Sequence, residues 1–176
     1  MTEVCYAGES LCPKNYPYER KWPVYKFEDG ELWGNMIMND MNNWVSGWIY
    51  WNMILDQNGG PWLVAVERGD PENNRQHSVV IINRDTKEVT YTGLYYYLTH
   101  FSKFVRPGAY RINCTGGSSN FNFTGFQNTD GSIILNVINN AEEADCKIAW
   151  KKKMTILRLK AHSITTVKWM NSVDKV

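Results

Sequence analysis

Along residues 30 to 44, GELWGNMIMNDMNNW, apolar side chains recur at helical spacing. Trp33, Met36, Ile37, Met41 and Trp44 fall on one face, and Asp29 stands where a cap belongs. The spacing predicts an amphipathic helix. The period then changes to two. VSGWIYWN, residues 45 to 52, is rich in β-branched and aromatic residues, and alternation puts Val45, Gly47, Ile49 and Trp51 on one face of a strand. That strand gives way to MILDQNGGP, a loop with an Asn-Gly-Gly-Pro breaker. A short β-type run near the N-terminus, TEVCYAG, completes a strand, helix, strand order.

Residues 78 to 91, SVVIINRDTKEVTY, predict a short hairpin turning near Asp85 and Thr86, or alternatively a lone strand in the first run. A second helix follows, with Thr92 as cap, Leu94, Leu98, Phe101 and Val105 as its apolar stripe, and Pro107-Gly108 as its stop. From Gly108 the chain changes character. YRINC, FNFTGFQ, SIILNVIN, CKIAW, TILRLK and ITTVKW are short β-type runs separated by Gly, Asn, Asp and Lys turns. This predicts an antiparallel β-sandwich over residues 106 to 176, after an α/β portion over residues 1 to 105.

At 176 residues with 43% apolar content, the chain is long enough to bury a core, which excludes a disordered chain. Net charge is +1 and the cations are scattered apart from Lys151, Lys152 and Lys153, so nothing resembles a nucleic-acid footprint. No run approaches 18 apolar residues, and Met1 is not followed by the basic and apolar regions of a signal peptide. Cysteines 5, 12, 114 and 146 are too few and too far apart for a disulfide framework; with His77, His100 and His162 isolated, no metal site or cofactor is expected. Two sequons, Asn113-Cys114-Thr115 and Asn122-Phe123-Thr124, allow N-glycosylation and lean toward a secretory or lysosomal route.

Two residues suggest chemistry. Trp51 ends its strand where a βα-barrel would carry an active site, and an indole there is a platform for the C–H face of a sugar ring; it could equally be core. Glu3 lies inside a β-type run, where a carboxylate can serve as nucleophile or general base, or sit on the surface of a frayed terminus.

Four segments, in order, carry a resemblance: TEVCYAG with Glu3, GWIYWNMILDQNGGP from Gly47 to Pro61, LYYYLTHFSKFVRPGAYRI from Leu94 to Ile112, and DGSIILNVIN from Asp130 to Asn139. Together they resemble glycoside hydrolase family 30, and within it the glucosylceramidases. The resemblance implies a (β/α)8 barrel with an attached β-sandwich, and a retaining β-glycosidase mechanism with two carboxyl groups. It implies Glu3 as nucleophile, Cys5 on the pocket floor and Trp51 flanking the sugar, with HFSKF, His100 to Phe104, serving structure. It further implies a β-glucoside or glucosylceramide substrate, with β-1,6-glucan and xylan as the family's other substrates. A lipid surface or activator protein comes with the ceramide branch, as does a lysosomal or secreted location.

In the family the nucleophile sits on the seventh barrel strand. The chain therefore reads as the C-terminal part of a barrel, its last two βα units, followed by the sandwich, with Met1 internal to a longer protein and any signal peptide upstream. About 105 residues precede the sandwich, against roughly 250 for a whole barrel. Glu9, Asp29, Asp40 and Asp56 do not match the family's acid/base motif, so the isolated chain is expected to be inactive. The alternative is a short non-catalytic relative that keeps the sandwich and binds glycan, lipid or a full-length partner.

Overall fold

The computed structural model describes residues 27–57 and 78–171 in full and the backbone course of residues 2–5. Strand β1 (Thr2–Cys5) runs parallel to β2 (Trp48–Trp51), and helix α1 (Glu28–Asn42) lies between them in sequence. Parallel neighbours need such a crossover, because no tight turn can return the chain to the same end of the sheet. A second sheet holds β3 (Ile54–Asp56), parallel to β4 (Val80–Ile82), which pairs antiparallel with β5 (Val89–Tyr91) as the hairpin pattern predicts. Helix α2 (Gly93–Ser102) follows.

The first helix differs from its prediction at both ends. It starts at Glu28, so Asp29 lies in the first turn and Phe27 holds the cap position without a side-chain hydrogen bond. Glu28, Asp29 and Glu31 instead place negative charge at the positive end of the helix dipole. Trp44 falls beyond the C-terminus at a φ of 70° and is 80% exposed, its ring covered by the Arg111 guanidinium at 4.3 Å. Met38 takes the buried place. The predicted loop after β2 contains β3, too short for periodicity to reveal and held by its long-range pairing with β4.

Thr92 does sit at the N-cap of α2, but its hydroxyl accepts no helix N–H and instead donates to the carbonyls of Ser78 and Val79 at 3.0 and 2.9 Å. It ties the helix to the start of β4. The buried face of α2 comprises Leu94, Tyr97 and Phe101, while Val105 lies past the helix end.

Residues 110–170 form the antiparallel module. A four-stranded sheet runs β11 (Ser163–Met170), β8 (Ser132–Asn139), β7 (Phe121–Gln127), β6 (Tyr110–Ile112), and a two-stranded sheet pairs β9 (Ala144–Trp150) with β10 (Lys153–Leu159). Seven of the eight residues of β8 are buried, because helices pack on one of its faces and β9 faces the other across the inter-sheet cavity. The core is therefore shared: Ile37 and Met38 of α1, Tyr97 and Phe101 of α2, and Ile138 of β8 form one cluster. The described part of the chain is thus a portion of a βα barrel joined to a β-sandwich.

A candidate active site on two parallel strands

The register of the first sheet sets Glu3 beside Ile49 and Cys5 beside Trp51. Strand β2 presents Trp48 and Tyr50 to α1, where Trp33 meets Tyr50 edge-on at 5.0 Å and Trp48 at 6.3 Å. The indole N–H of Trp48 donates to Asp40 Oδ2 at 3.1 Å. With that face anchored, alternation turns Ile49 and Trp51 to the other side, each 46% exposed. Trp51 is therefore not core, and it stands at the C-terminal end of its strand, followed by a cis peptide bond to Asn52.

Of the other carboxylates considered, Asp40 is engaged by Trp48 and Asp29 lies in the first turn of α1. Asp56 is buried at the end of β3 and paired with Arg84 Nε at 3.0 Å. That ion pair ties the end of β3 to the turn that follows β4. Glu9 lies outside the described residues. Nothing in the sequence pattern marked Asp56 and Arg84 as a pair; they are 28 residues apart and meet only because β3 and β4 are neighbours.

The HFSKF segment links the helices to the sandwich. Phe101 is in the shared core, and His100 Nδ1 lies 2.7 Å from Thr166 Oγ1 on β11. The Thr166 hydroxyl gives its single proton to Asn136 Oδ1 at 2.7 Å, so His100 is the donor to Thr166; Asn136 Nδ2 closes the ring by donating to the His100 carbonyl at 3.3 Å. Burial pushes the His100 pKa down.

Among the described residues, no group of three or more His, Cys, Asp or Glu side chains could hold a metal ion, and no helix is long and apolar enough to cross a membrane. Cys114 and Cys146 are free thiols, both raised in pKa by burial. A cavity of about 440 Å³ opens between the two sandwich sheets, lined by residues such as Phe123, Trp150 and Trp169 and by none from β1 or β2.

Residues 11–105 match the model of the glycosyl hydrolase family 30 TIM-barrel domain, and residues 108–167 match that of the glycosyl hydrolase family 30 beta sandwich domain. Glu3 precedes the first of these stretches. The chain is 35% identical over 150 residues to "Putative glucosylceramidase 4" of Caenorhabditis elegans, covering 84% of this chain and 26% of that protein. It is 25% identical over 142 residues to "Lysosomal acid glucosylceramidase" of Mus musculus, covering 80% of this chain and 26% of that protein. It thus spans about a quarter of the length of these relatives. In fold it is similar to SrfJ from Salmonella typhimurium, with a TM-score of 0.78 at 21% identity, over 98% of this chain and 35% of that one.

Proposed function

Because the chain belongs to glycosyl hydrolase family 30, we propose that it is the nucleophile-bearing part of a retaining β-glycosidase of the glucosylceramidase kind. The observation that carries this is the register of β1 against β2, which sets Glu3 and Cys5 next to Ile49 and Trp51. Active sites of βα barrels lie at the C-terminal ends of their strands. In this reading a Glu3 carboxylate oxygen bonds to the anomeric carbon as the bond to the leaving oxygen breaks. A second carboxyl group, roughly 5 to 5.5 Å away, protonates that oxygen, and water then releases the sugar. Trp51 offers its indole to the sugar ring and Cys5 lines the floor.

The proton donor is not among the carboxylates described, and general-acid assistance is worth ~100 to 10,000-fold. The reading therefore places the activity in a longer protein that supplies that acid, and makes this chain inactive by itself. The names of the two relatives favour glucosylceramide as substrate and a lysosomal or secreted location; a lipid surface or activator protein would follow from a membrane-embedded substrate. The test is covalent labelling of the complete protein with an activated β-glucosyl fluoride, followed by peptide mapping. Label on Glu3 that is absent from Glu3→Gln is the expected result, and label on another carboxylate in the wild type would overturn the assignment.

A further inference from the structure

A sequon spaces its Asn and its Thr two residues apart, which is also the repeat of a β-strand. Within a strand both groups must therefore share one face, and the fold decides whether that face is open. The two sequons of this chain meet opposite fates.

Asn122 and Thr124 lie on β7, on the face covered by the helices. Asn122 Nδ2, the atom a glycan would occupy, donates to Asn35 Oδ1 of α1 at 3.1 Å, and Asn35 Nδ2 passes the chain on to Asn140 Oδ1 at 2.7 Å. Asn42 Nδ2, at the last residue of the same helix, donates to the Phe123 carbonyl at 2.9 Å. Side chain and backbone of this sequon are thus both clamped by α1. Thr124 is fully buried, and its hydroxyl has no hydrogen-bond partner among the described residues. Asn113 and Thr115 lie in the segment after β6 and are both exposed. Between them Cys114 turns inward, its Sγ packed so close to Gly125 that a β-carbon there would sit 2.5 Å away. That inward residue points its two neighbours to solvent, at the rim of the inter-sheet cavity.

We infer that Asn113 is the N-glycan acceptor of the folded protein, and that Asn122 stays bare because its amide joins α1 to the four-stranded sheet. In the transfer, Asn113 Nδ2 bonds to C1 of an oligosaccharide carried on a polyprenyl diphosphate. The C1–O bond to the diphosphate breaks, the lipid diphosphate leaves, and the amide loses one proton. A glycan on Asn122 would instead have to fill the space that α1 occupies, so a chain carrying one cannot close the helix onto the sheet.

The inference rests on the secretory route proposed above, so the test imposes that route. The complete protein, secreted from eukaryotic cells behind a cleavable signal peptide, is deglycosylated by an amidase in ¹⁸O water and its peptides are weighed. The expected result in the soluble, cooperatively melting fraction is ¹⁸O-labelled aspartate at position 113 and unlabelled asparagine at 122. Asn113→Gln should lose the gel shift on deglycosylation, and Asn122→Gln should keep it. Label at 122 in that fraction, or none at 113, overturns the inference. Glucosidase activity on the same sample is a separate readout: its absence beside a glycosylated Asn113 counts against the proposed function alone.

Discussion

A β-carbon on Gly30 of α1 would lie 2.3 Å from the carbonyl oxygen of Gly93 at the start of α2, and one on Gly93 would lie 2.3 Å from the Phe27 carbonyl oxygen. The two helices meet backbone to backbone, and rigid main-chain atoms cannot swing aside as a side chain can. Gly30→Ala gains up to about 1 kcal/mol of helix propensity. Against that, forcing the helices apart loosens the cluster of Ile37, Met38, Tyr97 and Phe101, at a typical cost of about 1–3 kcal/mol. The expected outcome is a net loss of stability, read as a lower urea midpoint. Gly47→Ala, whose new methyl meets nothing within 4 Å, is the control and should show no such loss.

At Asn128 one side chain holds several segments of the chain together. It is buried, its Oδ1 accepts from the Arg106 backbone N–H at 2.9 Å, and its Nδ2 donates to the Phe104 carbonyl at 2.9 Å and to Ser132 Oγ at 3.0 Å. The amide thereby fixes the turn after α2 against the turn between β7 and β8. Asn128→Ala strands those groups and should destabilise by about 1–3 kcal/mol. Thermal melts followed by circular dichroism measure it. Asn128→Asp should do no better, since a carboxylate cannot donate to Phe104.

The His100, Thr166 and Asn136 ring predicts a pH dependence. Burial holds the His100 pKa below its ordinary 6.5, so as pH falls the unfolded chain takes up a proton first. The stabilisation is fully present above pH 6.5, begins to be lost below it, and is gone once pH has dropped through the lower folded-state value. His100→Gln should flatten this limb of the stability curve between neutral and mildly acidic pH. Denaturant midpoints at several pH values decide it, and an unchanged slope in the variant would sink the assignment.

Trp51, half exposed on the uncovered side of β2, makes a different prediction from a core tryptophan. Trp51→Ala in the complete protein should leave the melting temperature close to wild type while raising KM for a β-glucoside roughly tenfold, about 1.4 kcal/mol. Unfolding of the variant would return Trp51 to a structural role. Trp33→Ala provides the contrast, since Trp33 is buried against Trp48 and Tyr50, and losing it should cost about 3–5 kcal/mol.

Much of this was legible in the sequence, because local periodicity is set by the local geometry of helices and strands. The helical spacing of Trp33 and Ile37, the hairpin around Asp85, and the six β-type runs after Gly108 all correspond to observed elements. The order of motifs around Glu3, Trp51 and His100 resembles the family whose models match the chain. Tertiary structure decided what periodicity cannot carry. Strand β3 exists because β4 arrives beside it after more than twenty intervening residues. Trp44 left the apolar stripe because the helix ends two residues before it, at Asn42, and Arg111 covers its ring. The β-type run SIILNVIN is buried on both faces because helices pack on one side and the second sheet faces the other. And two sequons identical in pattern differ because only one of them faces α1. Sequence fixes what each residue can do locally; which groups remain available afterwards depends on contacts between residues far apart in the chain, and those are a property of the assembled fold.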